Sequence, residues 1–372
     1  MTLALRLAAR GMYTTAPNPR VGCVVVRDGQ VIGEGWHRRA GEPHAEVLAL
    51  QQAGGQARGS TVYVTLEPCA HHGRTPPCCD ALVDAKVARV VVAMTDPNPR
   101  VSGRGLTRLC EVGIEVVTGV CEQQARELNP GFIKRMEQGR PWLRCKLAMS
   151  LDGRTAMATG QSQWITAEPA RRDVQHWRAC SDAILTGIGT VLQDDPRLTV
   201  RHELLDGALA MDRERQPLRV VVDSRLRLPR TARLLQQPGP VLIVTAARIS
   251  ESELIAWQGC GAEVASLPDG SGRVDLPAVL QLLGDRGINE VQVEAGAVLS
   301  GALLQAGLLD ELLLYIAPRL LGSAARGLFD LPGLQHLQDA PQLQIIDSRA
   351  LGVDWRIRAR PVPATAVSLD AG

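Results

Sequence analysis

Pro43-His44-Ala45-Glu46 is the most informative stretch of this chain, because Pro68-Cys69 and then Cys78 follow it. Together these segments supply one imidazole, two thiols and a spare carboxylate. A structural zinc is usually closed by four protein ligands, whereas a catalytic zinc keeps three and leaves the fourth position to water. The pattern therefore predicts a hydrolytic zinc site whose metal ligands are His44, Cys69 and Cys78.

A His-x-Glu segment followed by Pro-Cys and a second cysteine is the signature of zinc-dependent nucleobase deaminases. In that chemistry the metal acidifies a water molecule, and the glutamate transfers protons without binding the metal. Glu46 is the candidate for this catalytic role. If Pro43 opens a helix, His44 can face the metal while Glu46 points towards the water and the substrate, because residues two apart on a helix point in different directions.

The second half of this signature departs from the usual Cys-x-x-Cys spacing. Ala70–Pro77 separates Cys69 from Cys78, and another cysteine follows directly. This arrangement leaves three competing ligands, which are His71, His72 and Cys79. A fourth protein ligand among them would instead indicate a structural zinc module attached to a regulatory ligand-binding domain.

The composition is typical of a soluble globular protein, with 45% hydrophobic and 22% charged residues. A chain of 372 residues exceeds what one hydrophobic core usually serves, so we expect two domains.

The net charge of +2 and the aromatic content of 3% argue against a nucleic-acid or membrane partner. No apolar run approaches the roughly 20 residues that span a bilayer. Nine cysteines without a secretion signal indicate a reducing, cytoplasmic location.

The first part of the chain alternates strand and helix patterns, as expected for a three-layer α/β domain with a mixed sheet. Asp28-Gly29 lies between two apolar runs and predicts a hairpin. A polar pattern predicts one helix over 123–138, after which a second domain begins near Arg140-Pro141. The other predicted strands and helices of this part are strands 21–26, 31–35, 61–66, 87–94 and 114–119 and helices 43–53, 80–85 and 105–112.

The second part of the chain also predicts an α/β domain. Its predicted strands are 143–149, 183–185, 219–222, 241–244, 290–293 and 311–316, and its predicted helices include 170–179 and 276–283. The expected domains are therefore 1–139 and 140–362, followed by a frayed tail over 363–372. The Gly-x-Gly-x-x-Gly fingerprint of a Rossmann fold is missing, but a strand that ends in glycine before a helix, at 294–301, could bind pyrophosphate.

Motifs in both halves resemble the bifunctional riboflavin-biosynthesis deaminase/reductase family. The first half carries Thr15-Ala16-Pro17-Asn18-Pro19-Arg20-Val21-Gly22, Gly41–Glu46 and Thr65-Leu66-Glu67-Pro68-Cys69 through Pro77–Asp80. The second half carries Lys146–Ala156, Thr186–Val191, Asp194–Leu198 and Val293-Glu294-Ala295-Gly296. The resemblance covers nearly the whole chain. It implies a cytidine-deaminase-like three-layer α/β/α domain followed by a dihydrofolate-reductase-like α/β domain.

This resemblance implies two successive reactions on a small phosphorylated pyrimidine. The first, with Zn²⁺, removes the 2-amino group of 2,5-diamino-6-ribosylamino-4(3H)-pyrimidinone 5′-phosphate. The second uses NADPH to reduce the ribosyl group, giving 5-amino-6-ribitylaminouracil 5′-phosphate. The resemblance also suggests a homo-oligomer, such as a dimer, formed through the second domain. An alternative keeps the zinc deaminase but gives it another nucleoside or a tRNA base as substrate, beside a non-reductase second domain.

Further candidate site residues come from the residues themselves and from the resemblance. Asn18, in a Pro-Asn-Pro turn, is a candidate to bind the pyrimidine or ribose, and Arg74 is a candidate to clamp the phosphate. The resemblance implies NADPH contacts at Ala148, Trp164, Thr190, Asp194, Ser224, Gly296, Ala297, Val298, Leu299, Ser300, Gly301 and Ala302. It implies substrate contacts at Ser162, Arg178, Leu198, Arg201 and Glu294. Lys146 and Asp194 are candidates to protonate the opening ribose ring.

Overall fold

The computed structural model describes residues 1–71, 76–99, 101–205 and 215–362. The chain forms two compact units. The first comprises Met1–Pro141 together with Gly284–Asn289, and the second comprises Trp142–Leu283 with the described residues from Glu290 onwards. The tail predicted over 363–372 lies outside the described residues. Within the described ranges, no helix combines the length and the apolar content needed to cross a membrane.

Where the structure describes the first unit, it contains a five-stranded sheet and six α-helices. Its strands are β1 (Gly22–Arg27), β2 (Gln30–Trp36), β3 (Thr61–Val64), β4 (Arg89–Val92) and β5 (Glu115–Thr118). Its helices are α1 (Thr2–Ala9), α2 (Ala45–Ala53), α3 (Cys78–Asp84), α4 (Arg104–Glu111), α5 (Glu122–Leu128) and α6 (Pro130–Gln138), with a 3-10 turn at Gly54–Ala57. The strand order is β2-β1-β3-β4-β5, and only β3, β4 and β5 are mutually parallel.

The strand β1 contributes to two cores, because successive side chains of a strand point to opposite faces of the sheet. Cys23 and Val25 pack in one buried cluster with residues of α2, α3 and α4. Val24 packs on the other face with Ala4 and Leu7 of α1. Helices therefore cover both faces of the sheet, and the predicted three-layer α/β/α arrangement is confirmed.

The prediction of a single helix over 123–138 is wrong, because the structure contains two helices that meet at Asn129-Pro130. Proline has no N–H for a bond within a helix, but it fits the first helical position, where that N–H would be unpaired. The Asn129 side chain accepts a hydrogen bond from the Arg20 N–H and donates one to the Arg20 carbonyl. Asn129, at the break between the two helices, thus anchors the chain just before β1.

The second unit contains eleven strands and five α-helices among the described residues. Its strands are β6 (Trp142–Ser150), β7 (Arg154–Ala156), β8 (Ala183–Gly187), β9 (Leu218–Val222), β10 (Val241–Thr245), β11 (Ala262–Ser266), β12 (Glu290–Val293), β13 (Glu311–Ala317), β14 (Arg326–Gly327), β15 (Leu343–Leu351) and β16 (Asp354–Pro361). Its helices are α7 (Glu168–Cys180), α8 (Ile188–Asp194), α9 (Glu251–Gln258), α10 (Leu276–Asp285) and α11 (Ala297–Gln305), with 3-10 turns at His202–Leu204, Arg233–Gln236 and Leu337–Asp339.

Nine of these strands form one sheet in the order β11-β10-β9-β8-β12-β6-β13-β16-β15. The strands from β11 to β13 in this order are mutually parallel, whereas β16 and β15 are antiparallel additions. The carboxyl ends of the parallel strands meet at one edge, which is where open α/β sheets bind ligands. The sequence patterns missed β15 because it is exposed along most of its length and so lacks apolar alternation.

Candidate active sites

Three separate segments of the first unit bring His44, Cys69 and Cys78 together. His44 is the N-cap of α2, which begins two residues later than the predicted Pro43 start, and Cys78 is the first residue of α3. The His44 Nδ1 atom lies 3.2 Å from Cys78 Sγ and 3.7 Å from Cys69 Sγ. The three donor atoms all lie within 4.8 Å of one another.

This donor set fits zinc. A tetrahedral zinc with Zn–N near 2.0 Å and Zn–S near 2.3 Å separates its nitrogen and sulfur ligands by about 3.5 Å, which lies between the two distances above. A hydrogen bond from the Cys78 thiol lowers the pKa of Cys69 to about 4, and the same shared proton raises the pKa of Cys78. A bound metal replaces such a proton, because a coordinating thiol is deprotonated outright.

Glu46 lies beside these three residues but is not one of the donor group. Its side chain is 3% exposed in the first turn of α2 and interacts with Cys78 through a hydrogen bond. Burial raises the pKa of the Glu46 carboxyl, although the nearby His44 opposes this effect. The site therefore combines three metal donors with a separate carboxyl that can exchange protons.

Asn18 contacts a buried histidine that the sequence analysis did not single out. Asn18 Nδ2 donates to His37 Nε2 at 3.0 Å, and His37 Nδ1 lies 3.3 Å from the Pro43 carbonyl oxygen. The His37 ring meets the His44 ring edge-on, with centroids 5.2 Å apart. Burial lowers the pKa of His37, which favours the neutral ring that these two bonds require. The sequence feature that could have identified His37 is its position directly after the strand β2.

The competing ligands lie elsewhere or outside the described residues. The Cys79 thiol lies 3.3 Å from the Pro68 carbonyl oxygen and 3.5 Å from that of Gly105, so its one proton can be donated to either, and burial raises its pKa to about 12. His71 is exposed. The other candidate ligand, His72, and the predicted phosphate contact, Arg74, are not among the described residues. The adjacent cysteines thus differ in role, because α3 turns one towards His44 and the other into the core.

Glu67 organises the loop behind Cys69, although the sequence analysis gave it no role. Its buried carboxylate accepts hydrogen bonds from four main-chain N–H groups, which belong to Asp96, Gly103, Gly105 and Leu106. Three of these belong to the N-terminus of α4, whose unpaired N–H groups favour a negative charge. A side chain at Gly105 would overlap the Pro68 carbonyl, so glycine permits this close approach beside the metal site.

The second unit gathers most of its candidate residues at the carboxyl edge of the parallel strands. Ala148 lies near the end of β6, and Ser224 follows β9. Glu294 follows β12 directly. A side chain at Gly296 would lie 3.9 Å from Thr190 Oγ1, so the turn before α11 faces α8. This edge therefore combines the glycine-containing turns before α8 and α11, at Gly187 and Gly296, with polar side chains.

Arg178, Glu294 and Lys146 form the charged centre of this second site. Arg178 Nε and Nη2 donate to the two Glu294 carboxylate oxygens at 2.6 and 2.8 Å, and Arg178 Nη1 donates to Thr199 O at 2.7 Å. Burial alone would raise the pKa of Glu294, but Arg178 overrides it and the pKa falls to about 2. Burial lowers the pKa of Lys146, and Glu294 opposes that shift.

The other candidate residues have differing surroundings. Asp194 accepts a hydrogen bond from Ser162, while burial raises the pKa of Asp194. Trp164 is 58% exposed, with the Arg171 guanidinium 5.0 Å from its ring centroid. Leu198 is buried. The Arg201 main-chain N–H donates to Gln175 Oε1 at 2.9 Å, and Arg201 is exposed.

The candidate cofactor segment divides into an outer and an inner part. Gly296 is the N-cap of α11, and Ala297, Val298 and Leu299 form its accessible first turn. Ser300 is fully buried, and its hydroxyl lies 3.5 Å from Cys145 Sγ, while Gly301 packs against the Asp330 carbonyl. Ala302 is partly buried. The helical period thus turns Ser300 and Gly301 away from solvent, whereas the first turn of α11 stays accessible.

Each half of the chain matches a known protein family. Residues 1–94 match the family model for the cytidine and deoxycytidylate deaminase zinc-binding region, and residues 141–357 match the RibD C-terminal domain. The chain is 54% identical to the riboflavin biosynthesis protein RibD of Escherichia coli, covering 95% of this chain and 96% of that protein. The corresponding protein of Haemophilus influenzae is 48% identical, with coverages of 97% and 96%.

Two solved structures are also similar to this chain over nearly its whole length. A RibD structure from Acinetobacter baumannii is 48% identical, with a TM-score of 0.88 and coverages of 97% and 98%. A diaminohydroxyphosphoribosylaminopyrimidine deaminase/5-amino-6-(5-phosphoribosylamino)uracil reductase from Thermotoga maritima is 32% identical, with a TM-score of 0.84 and 97% of both chains covered.

The fold and the two sites thus define a bifunctional enzyme, a zinc-dependent deaminase joined to an NADPH-dependent reductase. The chain belongs to the RibD family of riboflavin biosynthesis proteins. The predicted family, fold class, activities and cofactors Zn²⁺ and NADPH are confirmed. The alternatives of a non-reductase second domain or a structural zinc module are not favoured, because the reductase match spans 141–357.

Zinc binding should distinguish the adjacent cysteines. We expect Cys78→Ala to weaken zinc binding by more than the roughly 10–100-fold that loss of an outer-shell partner costs, because it removes a donor atom. The matched control Cys79→Ala should keep one zinc per chain and lose only about 1 kcal/mol of stability. Metal analysis and competition with a chelator measure both effects. Loss of zinc from Cys79→Ala alone would contradict this assignment.

The pH dependence of the unfolding free energy should reveal the Arg178–Glu294 ion pair. The pKa of Glu294 is depressed on folding, so its stabilisation is present near neutral pH and is lost as pH falls towards 2. Between pH 7 and pH 3.5 we expect the wild type to lose about 1–2 kcal/mol of unfolding free energy that Glu294→Gln does not lose. Urea unfolding measures this difference, with Glu168→Gln in the exposed Arg172 pair as control. Equal acid losses in wild type and Glu294→Gln would refute the assignment.

Proposed function

We propose that the first unit removes the 2-amino group of 2,5-diamino-6-ribosylamino-4(3H)-pyrimidinone 5′-phosphate with zinc held by His44, Cys69 and Cys78. The observation that carries this proposal is the convergence of one nitrogen and two sulfur donors beside the buried, non-ligating Glu46. The name of the Thermotoga maritima relative specifies a diaminohydroxyphosphoribosylaminopyrimidine deaminase, which supports the same substrate for this chain.

Glu46 is the proposed proton carrier of this reaction. When bound, zinc supplies the Lewis acidity that makes a water molecule reactive near neutral pH. Glu46 accepts a proton from the attacking water and delivers it to the ring nitrogen, and it then passes the second water proton to the departing amino group. The water oxygen remains on the pyrimidine and ammonia leaves. Asn18, oriented by His37, binds the pyrimidine or ribose, and Arg74 clamps the phosphate.

The second unit is proposed to reduce the ribosyl group of the deaminated product. NADPH supplies the hydride, and the first-turn amides of α11 after Gly296 bind its pyrophosphate. Ala148, Trp164, Thr190, Asp194 and Ser224 complete the cofactor site, while Ser162 and Leu198 line the substrate site. As the ribose ring opens, Lys146 or Asp194 supplies a proton to the ring oxygen.

Arg178 and Arg201 are proposed to bind the substrate phosphate. Among the described contacts, Arg178 uses three of its five N–H groups on Glu294 and Thr199, which leaves two for an oxyanion. Glu294 holds the guanidinium plane in one orientation through two parallel hydrogen bonds. Arg201 is exposed and can approach a phosphate from solvent.

A homodimer formed through the second unit is also part of the proposal. The strand β15 is the edge of the nine-stranded sheet, and such an edge presents unpaired main-chain groups. Large apolar side chains near it are exposed, including Ile345 at 62% and Trp355 at 53%. A second copy of the chain would bury both features. The nine cysteines form no disulfide in the part of the chain that the structure describes, which supports a reducing, cytoplasmic location. The small net charge supports a substrate that is not a nucleic acid.

Replacing Glu46 should abolish most of the deamination activity without changing the zinc content. We expect Glu46→Gln to retain zinc but to lose about 10²–10⁴-fold in the rate of ammonia release, because an amide cannot carry the proton. NADPH oxidation with the already deaminated intermediate should be unchanged. Glu42→Gln, on the exposed loop before α2, is the control and should keep both activities. Full ammonia release by Glu46→Gln would remove Glu46 from this role.

The association state should respond to charge at the β15 edge. We expect Ile345→Lys to shift the mass measured by light scattering from dimer to monomer, because an apolar contact would have to bury an ammonium group. Ile255→Lys introduces the same change at a comparably exposed site on α9 and should leave the mass unchanged. A wild-type protein that is monomeric at micromolar concentration would exclude this interface.

A further inference from the structure

Gly284–Asn289 belongs to the first unit, although its first two residues end α10, whose other residues lie in the second unit, and β12 of the second unit follows it directly. One end of this segment approaches the end of α6 very closely, because a side chain at Gly284 would overlap the carbonyl of Gly139, the C-cap of that helix. Only glycine permits this contact. The other end of the segment is Asn289, which is 6% exposed.

Asn289 and Arg135 of α6 converge on the main-chain carbonyl of Pro17. Asn289 Nδ2 donates to Pro17 O at 3.0 Å, and Arg135 Nη2 donates to the same oxygen at 3.2 Å. Arg135 Nε also donates to Asn289 Oδ1 at 2.7 Å, which holds the asparagine side chain in place. Two donors therefore fix one carbonyl oxygen, and each donor is itself oriented by the other residue.

The clamped carbonyl shares a peptide plane with the Asn18 N–H, because a peptide group is rigid and planar. That N–H donates to Thr15 O at 2.9 Å, so the plane is held on both of its edges. The Asn18 side chain then reaches His37, whose ring packs edge-on against His44. A continuous series of contacts thus leads from Asn289 to the metal-binding residues.

We propose that Asn289 and Arg135 are positioning residues for the deaminase, which orient Asn18 by fixing the Pro17–Asn18 peptide. This inference rests on the proposed substrate contact of Asn18. Hydrogen bonds are directional, so two donors on one carbonyl define the peptide's orientation more closely than apolar packing would. The substrate loop of the first unit is consequently completed by a residue that directly precedes β12 in the sequence.

The test compares deamination of the diaminopyrimidinone phosphate by full-length Asn289→Ala, Asn18→Ala and the double variant. We expect Asn289→Ala to raise KM about 5–30-fold with a smaller change in kcat, because a misdirected contact weakens substrate binding before it affects the chemistry. Asn289→Asp keeps the acceptor for Arg135 but loses the donor to Pro17, and it should raise KM similarly.

Two controls accompany these variants. The zinc content should stay at one per chain. Arg126→Ala, in an exposed ion pair between α5 and α6, is the control and should keep the wild-type KM.

The double variant separates positioning from general destabilisation. If Asn289 acts through Asn18, adding Asn289→Ala to Asn18→Ala should leave KM where Asn18→Ala alone puts it. Fully additive increases, or a normal KM in Asn289→Ala and Asn289→Asp beside a raised KM in Asn18→Ala, would overturn the inference alone. A normal KM in Asn18→Ala would overturn the proposed role of Asn18 and this inference with it.

Discussion

Three donor atoms from distant parts of the chain have to meet within reach of a single zinc ion, and the first unit is organised around that requirement. The N-cap of α2, the loop after β3 and the first turn of α3 each contribute one donor atom. Because β3 is parallel to β4, the chain must turn at its carboxyl end, where Glu67 ties the α4 loop to the cysteine loop with four main-chain hydrogen bonds. These hydrogen bonds hold the loop that carries Cys69 in one position, as outer-shell contacts of a metal site do.

The second unit solves a different problem, since its cofactor supplies the reacting hydride and the protein mainly positions the reactants. Seven parallel strands deliver their carboxyl ends to one edge, and the glycine-containing turn before α11 allows a phosphate to approach main-chain amides. The Arg178–Glu294 pair shows how charge is managed at this edge. The guanidinium keeps a buried carboxylate ionised, and the carboxylate in turn fixes the plane of the cation that is proposed to meet the substrate phosphate.

Several features of the site escaped the sequence patterns for identifiable reasons. His37 and Asn289 carry no spacing signal, because their partners are 19 and 272 residues away in the sequence. The break at Asn129-Pro130 was overlooked because the polar residues on both sides continue a helical pattern. The β15 strand was overlooked because an exposed edge strand has no buried face to impose a period of two. The patterns that succeeded, such as β1 and β3, are those whose alternate residues enter a core.

The sequence by itself determined the chemistry, since the His-x-Glu and Pro-Cys motifs name the donor types and the paired motifs of both halves identify the family. Local periodicity also determined the buried strands and the layered fold, because burial on a sheet face acts over a few residues. Only the tertiary structure removed Cys79 as a competitor of the predicted Cys78, gave Glu67 its four partners and brought Asn289 to the loop of Asn18. Those outcomes depend on the direction of side chains and carbonyls after the chain has folded, and distances between remote segments leave no trace in the order of residues.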